Sequence, residues 1–332
     1  MQVIHKSLTL KDLPSPPPDK TGWPWTEGND PLPNQTPDGS QWPRISIVTP
    51  SYNYGDFIEE TIRSILLQGY PNLEYIIIDG GSTDNTIEII KKYEKYLTYW
   101  VSEPDKGQTD AINKGFQYCT GDIFAWLNSD DSYTKIALRR VAEYYLQGNQ
   151  VIGGSCLLVF TDGRPDDVVK SFPINFERFL NFWAVGAHFP QPAVFVARQI
   201  ADKCFPLNNQ LYMLMDYQFF VRVISQNPQA IYIPDILVKF NFHGKNKSES
   251  KKETSFSEFY EIGRSEAKKL PWLKQFVYLF KLKDYQVLHP LIYEEKAQNI
   301  KQVMSALSSR PTLLFWSPFW KCILKIIYKN YG

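Results

Sequence analysis

Two hydrophobic periods alternate along the first half of this 332-residue chain. Short apolar runs such as Ile45 to Val48 and Tyr75 to Ile78 predict buried strands. Between them, Ile58, Ile62, Ile65 and Leu66 recur at helical spacing, with Asp56 three residues before Glu59 as a helix-start signature. Ile87, Ile90 and Tyr93 form the apolar face of a second helix, and Asp84 stands at its cap. A shorter strand over Tyr99 to Val101 leads into a helix over Gln108 to Cys119, which Thr120-Gly121 closes. The run Ile123 to Leu127 is the fourth strand, and a fourth helix spans Lys135 to Leu146. Repeated strand–helix units predict an α/β fold: a parallel sheet with helices on both faces.

Ligands on such sheets bind outside the carboxyl ends of the strands. Here those ends carry Thr49-Pro50-Ser51-Tyr52-Asn53, Asp79, Glu103-Pro104-Asp105, and Asn128-Ser129-Asp130-Asp131. Polar residues collect at all four. Asp130 and Asp131 are adjacent carboxylates at the end of an apolar strand, where side chains alternate between faces and can do two jobs. In a semi-buried site such a pair repels and carries a desolvation cost. A divalent cation with oxygen ligands relieves both, and Mg²⁺ or Mn²⁺ commonly brings phosphate with it.

Residues from about Arg44 to Asp131 resemble the nucleotide-binding half of a bacterial family-two glycosyltransferase with the GT-A fold. The resemblance rests on Ile45-Ser-Ile-Val-Thr-Pro-Ser-Tyr-Asn53, Ile78-Asp-Gly-Gly-Ser-Thr-Asp84, Ala111-Ile-Asn-Lys-Gly115 and Asn128-Ser-Asp-Asp131, in that order and spacing. It continues more loosely to about Ser248. The commonest family form of the last motif has an acid where Asn128 stands; the two aspartates after it are intact. The resemblance implies a nucleotide-sugar half over 44–131, an acceptor half over 132–248 and transfer with inversion from a nucleoside-diphosphate sugar to a hydroxyl. It assigns Thr49, Tyr52 and Asp79, with the adjoining Pro50, to the base and ribose, and Asp130 to the ribose or sugar. Asp105, Lys106 and Gln108 fall on the loop where diphosphate or sugar should pass. Asp131 is the expected ligand of Mn²⁺ or Mg²⁺. Asp216, in Met215-Asp-Tyr-Gln-Phe-Phe220 at the start of an apolar helix, matches the catalytic carboxylate. His243, after the strand from Ala230 to Val238, matches a histidine that reaches the metal or diphosphate.

Three further features refine the expectation. Residues 1–43 hold Pro14, Pro16, Pro17 and Pro18, so they read as an extended leader, while Trp23, Trp25 and Trp42 suggest that parts of it pack on the domain. Val151 to Phe160 followed by Asp162-Gly163 predicts a hairpin, and His188 stands in a stretch expected to line the acceptor cleft. Residues 245–253 read as a mobile loop, and 249–332 as a helical region. After Glu295 that region has no acidic residue, yet it mixes Lys296, Lys301, Lys321, Lys325 and Lys329 with Trp316, Phe319 and Trp320. Such a segment lies in a membrane interface or docks on its own domain.

A net charge of +1 gives no sign of a nucleic-acid surface. Cys119, Cys156, Cys204 and Cys322 lack metal or redox spacing and read as reduced thiols of a cytoplasmic protein. No apolar run is long enough to span a bilayer. The partners that the resemblance implies are the sugar donor and a hydroxyl acceptor, with a lipid-linked glycan as one candidate, at the inner face of the cell membrane. Two rivals share the fold. A nucleotidylyltransferase would want a Gly-rich, Arg-containing loop at the first strand end, which is missing; Asn128 alone favours a carbohydrate- or nucleotide-binding protein of weak activity. Walker and Gly-x-Gly-x-x-Gly patterns are also missing.

Overall fold

The computed structural model describes residues 7–171, 175–181, 190–244, 246, 252–293, 300–315 and 320. His188 and most of the basic, aromatic tail lie outside them, as do most of residues 245–251. The chain divides into two compact units, one of Met1–Phe176 with Ala187–Lys252 and one of Glu177–Gly186 with Glu253–Gly332.

The first unit is built on one mixed sheet. Strands β1 (Ile45–Ser51), β2 (Leu73–Asp79), β3 (Tyr99–Ser102) and β4 (Ile123–Trp126) are parallel in the order β3-β2-β1-β4. They are connected through helices α1 (Ile58–Leu66), α2 (Thr86–Tyr93) and α3 (Gln108–Tyr118). Burial on both faces explains why these strands read as unbroken apolar runs: every residue of β1, β2 and β4 is buried. Gly115 sets the approach of α3 to this sheet. A Cβ there would stand 2.5 Å from Val48 Cγ1 and 3.3 Å from Ile78 Cγ1, so the helix can lie this close only on glycine.

The sheet then changes direction. β5 (Asp131–Tyr133), β6 (Val151–Phe160), β7 (Asp167–Val169), β8 (Val194–Ala197) and β9 (Ala230–Phe242) extend it in the order β4-β8-β6-β9-β5, with β7 on β6 as the expected hairpin. β8 runs antiparallel to β4 and β6, and β5 antiparallel to β9. The polypeptide leaves β4 at Trp126, turns through Asn128 to Asp130, and enters β5 at Asp131. That turn carries the acidic pair from the end of the last parallel strand to β5, which lies at the far end of the strand order against β9. Helix α4 (Ala137–Leu146) follows β5, and α5 (Met215–Ser225) precedes β9.

Described residues of the leader pack onto α1 and α2. Arg63 on α1 is fully buried. Its guanidinium donates to the carbonyls of Pro14 (2.8 Å), Pro24 (3.0 Å) and Trp25 (2.9 Å) and to the Tyr93 hydroxyl (2.9 Å). One rigid fork of donors thereby holds separate turns of a chain that has little regular structure of its own.

The second unit is helical: α6 (Lys252–Glu266), α7 (Trp272–Tyr293) and α8 (Ile300–Ser309). Gly263 on α6 lies 2.5 Å, measured from an added Cβ, from the Tyr278 hydroxyl of α7. A buried ion pair from Asp284 to Arg310, with Thr312 donating at 2.9 Å, ties α7 to the turn after α8. No described helix is long and apolar enough to cross a membrane.

Replacing Arg63 by Met should lower stability by about 2–4 kcal/mol, because buried carbonyls lose their donors. Urea unfolding measures this, and a midpoint equal to wild type would show that the leader does not depend on the clamp.

Candidate active site

The carboxyl ends of β1 to β4 open into a cleft of about 1080 Å³. Pro50, Tyr52, Asp105, Lys106, Gln108 and Asp130 line it, and so does Asp216 from α5. Seven of the residues singled out in the sequence thus share one surface. Thr49 and Asp79 lie beneath that surface. Thr49 is fully buried and accepts from the Tyr75 hydroxyl at 3.2 Å. Asp79 is also fully buried, and its carboxylate accepts from Gly81 N (3.1 Å), Ser82 N (2.9 Å), Ser82 Oγ (2.5 Å) and Ser102 Oγ (2.6 Å). With its oxygens so engaged, Asp79 shapes the floor of the cleft by pinning the loop after β2 to β3.

The first two loops are bound to each other. Asn53 adopts a left-handed conformation, φ 55°, which Asn tolerates better than most residues. Its backbone N–H donates to Ser82 Oγ (2.7 Å), and its side-chain oxygen accepts from Thr83 N (2.8 Å). On the third loop Asp105 accepts from Gly107 N at 2.7 Å. Gln108, at the first turn of α3, donates to Asn128 Oδ1 at 2.7 Å. Asn128 therefore joins the third loop to the acidic turn as a neutral acceptor.

The acidic turn is held from behind. The Thr61 hydroxyl of α1 lies 3.0 Å from the Ser129 carbonyl and 2.7 Å from that of Asp131. Ser64 accepts from Tyr133 N (3.1 Å), Gln68 donates to Thr134 O (2.8 Å), and the leader's Trp23 indole donates to Tyr133 O (2.8 Å). Backbone polar groups of a loop this deep must find partners inside the protein. Here α1, the turn that follows it and the leader supply them.

The two aspartates have different surroundings. Asp130 lies at the cleft wall, where His243 Nε2 stands 3.2 Å and Asn246 Nδ2 3.3 Å from its Oδ2. The His243 ring is stacked on Phe57, with centroids 4.2 Å apart. Burial raises the Asp130 carboxyl above the usual carboxylate range, and the His243 and Asn246 contacts offset part of the rise. Asp131 is buried further in, and among the described residues neither of its oxygens finds a hydrogen-bond partner. Burial, then the charge of Asp130, pushes its carboxyl well up. The Asn241 backbone and the Asn128 side chain approach and offset some of this, but neither completes a bond. Nearby Tyr54 is pushed up to about 12, by burial first and then by the two aspartate charges.

A buried carboxylate with no partner is costly. A hard divalent cation is the species whose charge and oxygen preference would satisfy it, so Asp131 fits a Mg²⁺ or Mn²⁺ ligand. Among the described residues no three His, Cys, Asp or Glu side chains form a metal cage. A cation here would depend on oxygens that a bound diphosphate brings.

Asp216 sits half-buried in the first turn of α5. The helix cap is Leu214, and Asp216 Oδ1 accepts from Tyr217 N at 2.7 Å. Asn246 and Tyr54 also line the cleft, although nothing in the sequence singled them out. The Phe-Gly spacing around His243 gives no periodic signal, and Asn246 falls in a stretch whose composition reads only as loop.

Residues 46–205 match the family model described as Glycosyl transferase family 2. A glycosyltransferase of Haemophilus influenzae is 35% identical over 194 residues, covering 57% of this chain and 75% of that protein. The chain belongs to glycosyl transferase family 2. The putative teichuronic acid biosynthesis glycosyltransferase TuaG of Bacillus subtilis is 36% identical over 137 residues, 38% of this chain and 51% of TuaG; the matched part thus spans about half of that relative. Two solved structures share the GT-A fold. Staphylococcus aureus TarS in complex with UDP-GlcNAc has a TM-score of 0.57 at 18% identity, covering 80% of each chain. The mannosyltransferase PcManGT from Pyrobaculum calidifontis, in complex with GDP-Man and Mn²⁺, has a TM-score of 0.53 at 17% identity, covering 89% and 90%.

A carboxyl raised by burial makes the native state more stable while protonated, and that contribution is lost as pH rises through its folded value. In EDTA, Asp131→Asn should therefore melt above wild type at pH 7 to 8, and the gap should close below about pH 4, where Asp is protonated in the unfolded chain as well. Mn²⁺ should raise the melting temperature of wild type and leave the variant unmoved. Equal melting at all pH values would show that Asp131 carries no buried charge.

Proposed function

We propose that this protein transfers a sugar from a nucleoside-diphosphate sugar to a hydroxyl acceptor, with inversion at the anomeric carbon. The observation that carries the reading is the meeting of Asp130, at the end of the parallel strands, and Asp216, at the start of α5, on one cleft. Family membership supports glycosyl transfer, and donors bound by TarS and PcManGT support a nucleotide sugar as the class of substrate.

Tyr52 and Pro50 would pack against the base and ribose, with Thr49 and Asp79 supporting them from below. Asp130, held by His243 and Asn246, would accept a hydrogen bond from the ribose or sugar. Lys106 and Gln108 would flank the diphosphate or sugar, beside Asp105. Asp131 would hold a divalent cation, with His243 as the nitrogen donor of the same cluster. When bound, that cation supplies Lewis-acid stabilisation of the charge on the leaving diphosphate. An acceptor hydroxyl has too high a pKa to attack unaided. Asp216 would take its proton as the new bond forms, worth roughly 10²–10⁴ in rate. One base and one displacement give inversion, by analogy with glycoside hydrolysis.

The relationship to TuaG supports an acceptor in surface-glycan synthesis. A lipid-linked acceptor would place the enzyme at the cytoplasmic face of the membrane, with contact through the 249–332 region.

Asp216→Asn should lower kcat by roughly 10²-fold or more and leave donor KM nearly unchanged. Release of nucleoside diphosphate measures turnover, and NMR of the new glycosidic bond gives its stereochemistry. Donor affinity falling as far as turnover would move Asp216 to the donor site, and retention would exclude the single displacement. Release of pyrophosphate would indicate a nucleotidylyltransferase instead.

A further inference from the structure

Helix α7 has its hydrophobic faces the wrong way round for a helix that only packs on its own unit. Tyr278, Leu282 and Tyr285 are buried. On the other side Trp272 is 78% exposed and Phe276 67%, and Leu273, Val277 and Phe280 are exposed beside them. At about 100° per residue these five fall within an arc of about 140°. Phe276 and Phe280 stack, with centroids 6.4 Å apart. Single exposed apolar residues are ordinary, whereas a contiguous stripe that begins with Trp marks a contact surface.

The charge around the stripe decides its partner. From Lys268 to Lys283 the chain has Lys268, Lys269, Lys274, Lys281 and Lys283 and no Asp or Glu. Lys269 pairs with Glu266 and Lys274 with Glu177. Lys268, Lys281 and Lys283 are exposed and add positive charge. The next acid, Asp284, is buried against Arg310. A surface of Trp, Phe and Leu ringed by Lys is what an interfacial helix presents to lipid: aromatic side chains enter the headgroup boundary and lysines meet anionic headgroups. A protein partner with an apolar patch would be served by the stripe but would not call for the one-sided charge.

We infer that α7 is a membrane-docking helix, which lays Trp272, Leu273, Phe276 and Phe280 into the interface of an anionic bilayer. This goes beyond the proposed contact of the 249–332 region by fixing which helix makes it, and it stands apart from the tail after Arg310.

Flotation of the full-length protein with phosphatidylglycerol–phosphatidylcholine vesicles, against pure phosphatidylcholine, tests the inference. Wild type should float with the anionic vesicles, less so in high salt. Trp272→Ser with Phe276→Ser should weaken binding roughly 10-fold or more, with an unchanged circular dichroism spectrum. Lys268→Gln with Lys281→Gln and Lys283→Gln should remove the preference for anionic vesicles. A chain ending at Arg310 should still float. If the apolar variant floats like wild type while the truncated chain does not, the tail is the anchor and the inference fails, with the membrane reading intact. If wild type floats with neither vesicle, both fail. A wild-type dimer that the apolar variant converts to monomer, without vesicle binding, would assign the stripe to a second copy of the chain.

Discussion

The constraint that organises the acidic turn is the Asp131 carboxylate, which is buried without a hydrogen-bond partner among the described residues. Such a group is unfavourable in the isolated chain, and proteins keep one only where something else bears the cost. Here the cost is borne by the fixed backbone around it. Thr61 and Ser64 of α1, Gln68 just past its end and Trp23 of the leader bind carbonyls and N–H groups between Ser129 and Thr134. The carboxylate cannot swing out to water, because the turn carrying it is held along its length. On the proposed reading such a site would be ready for a cation before one arrives, which is the general form of preorganisation in catalysis.

The same economy of parts connects the sheet to the cleft. The parallel strands end together because β1 is flanked by β2 and β4 in matched register. Their loops are then linked: Asp79 to Ser82 and Ser102, Asn53 to Ser82 and Thr83, Gln108 to Asn128. The Asp79–Ser82 bonds close the loop after β2 on itself, and the others join segments that belong to different strands. The half of the cleft at the ends of the parallel strands is thus one hydrogen-bonded frame, while the opposite wall comes from α5 and from β6 and β9. Asp216 stands on that second wall, where the proposed base belongs.

Much of the fold was readable because its signals are local. Apolar runs with helical segments between them give parallel strands directly, and Gly115 follows from the closeness of α3 to β1. The strand end at Asp130-Asp131 was readable too, but the start of β5 at Asp131 was not, since its pairing with β9 joins residues more than a hundred apart in the chain. The leader shows the limit most clearly. Its prolines predict extended chain, and nothing in their pattern says that Arg63, on an otherwise apolar helix, will bury its charge among leader carbonyls. Asp79 is similar: its type and place marked the cleft, yet only the structure shows all four of its hydrogen bonds turned inward. Asn246 depends on a contact across the fold to Asp130, which no periodicity encodes.

The central claim is that the ends of the parallel strands, with Asp130 and Asp131, form a cation-assisted nucleotide-sugar site. The most direct measurement is a thermal-shift series with a panel of UDP-, GDP- and dTDP-sugars, each with Mn²⁺ and with EDTA. Ligand that binds only the folded state raises the melting temperature by mass action. The account predicts a rise with one class of sugar nucleotide in Mn²⁺ and a much smaller one in EDTA. No rise with any of them, or equal rises with and without the cation, would contradict it.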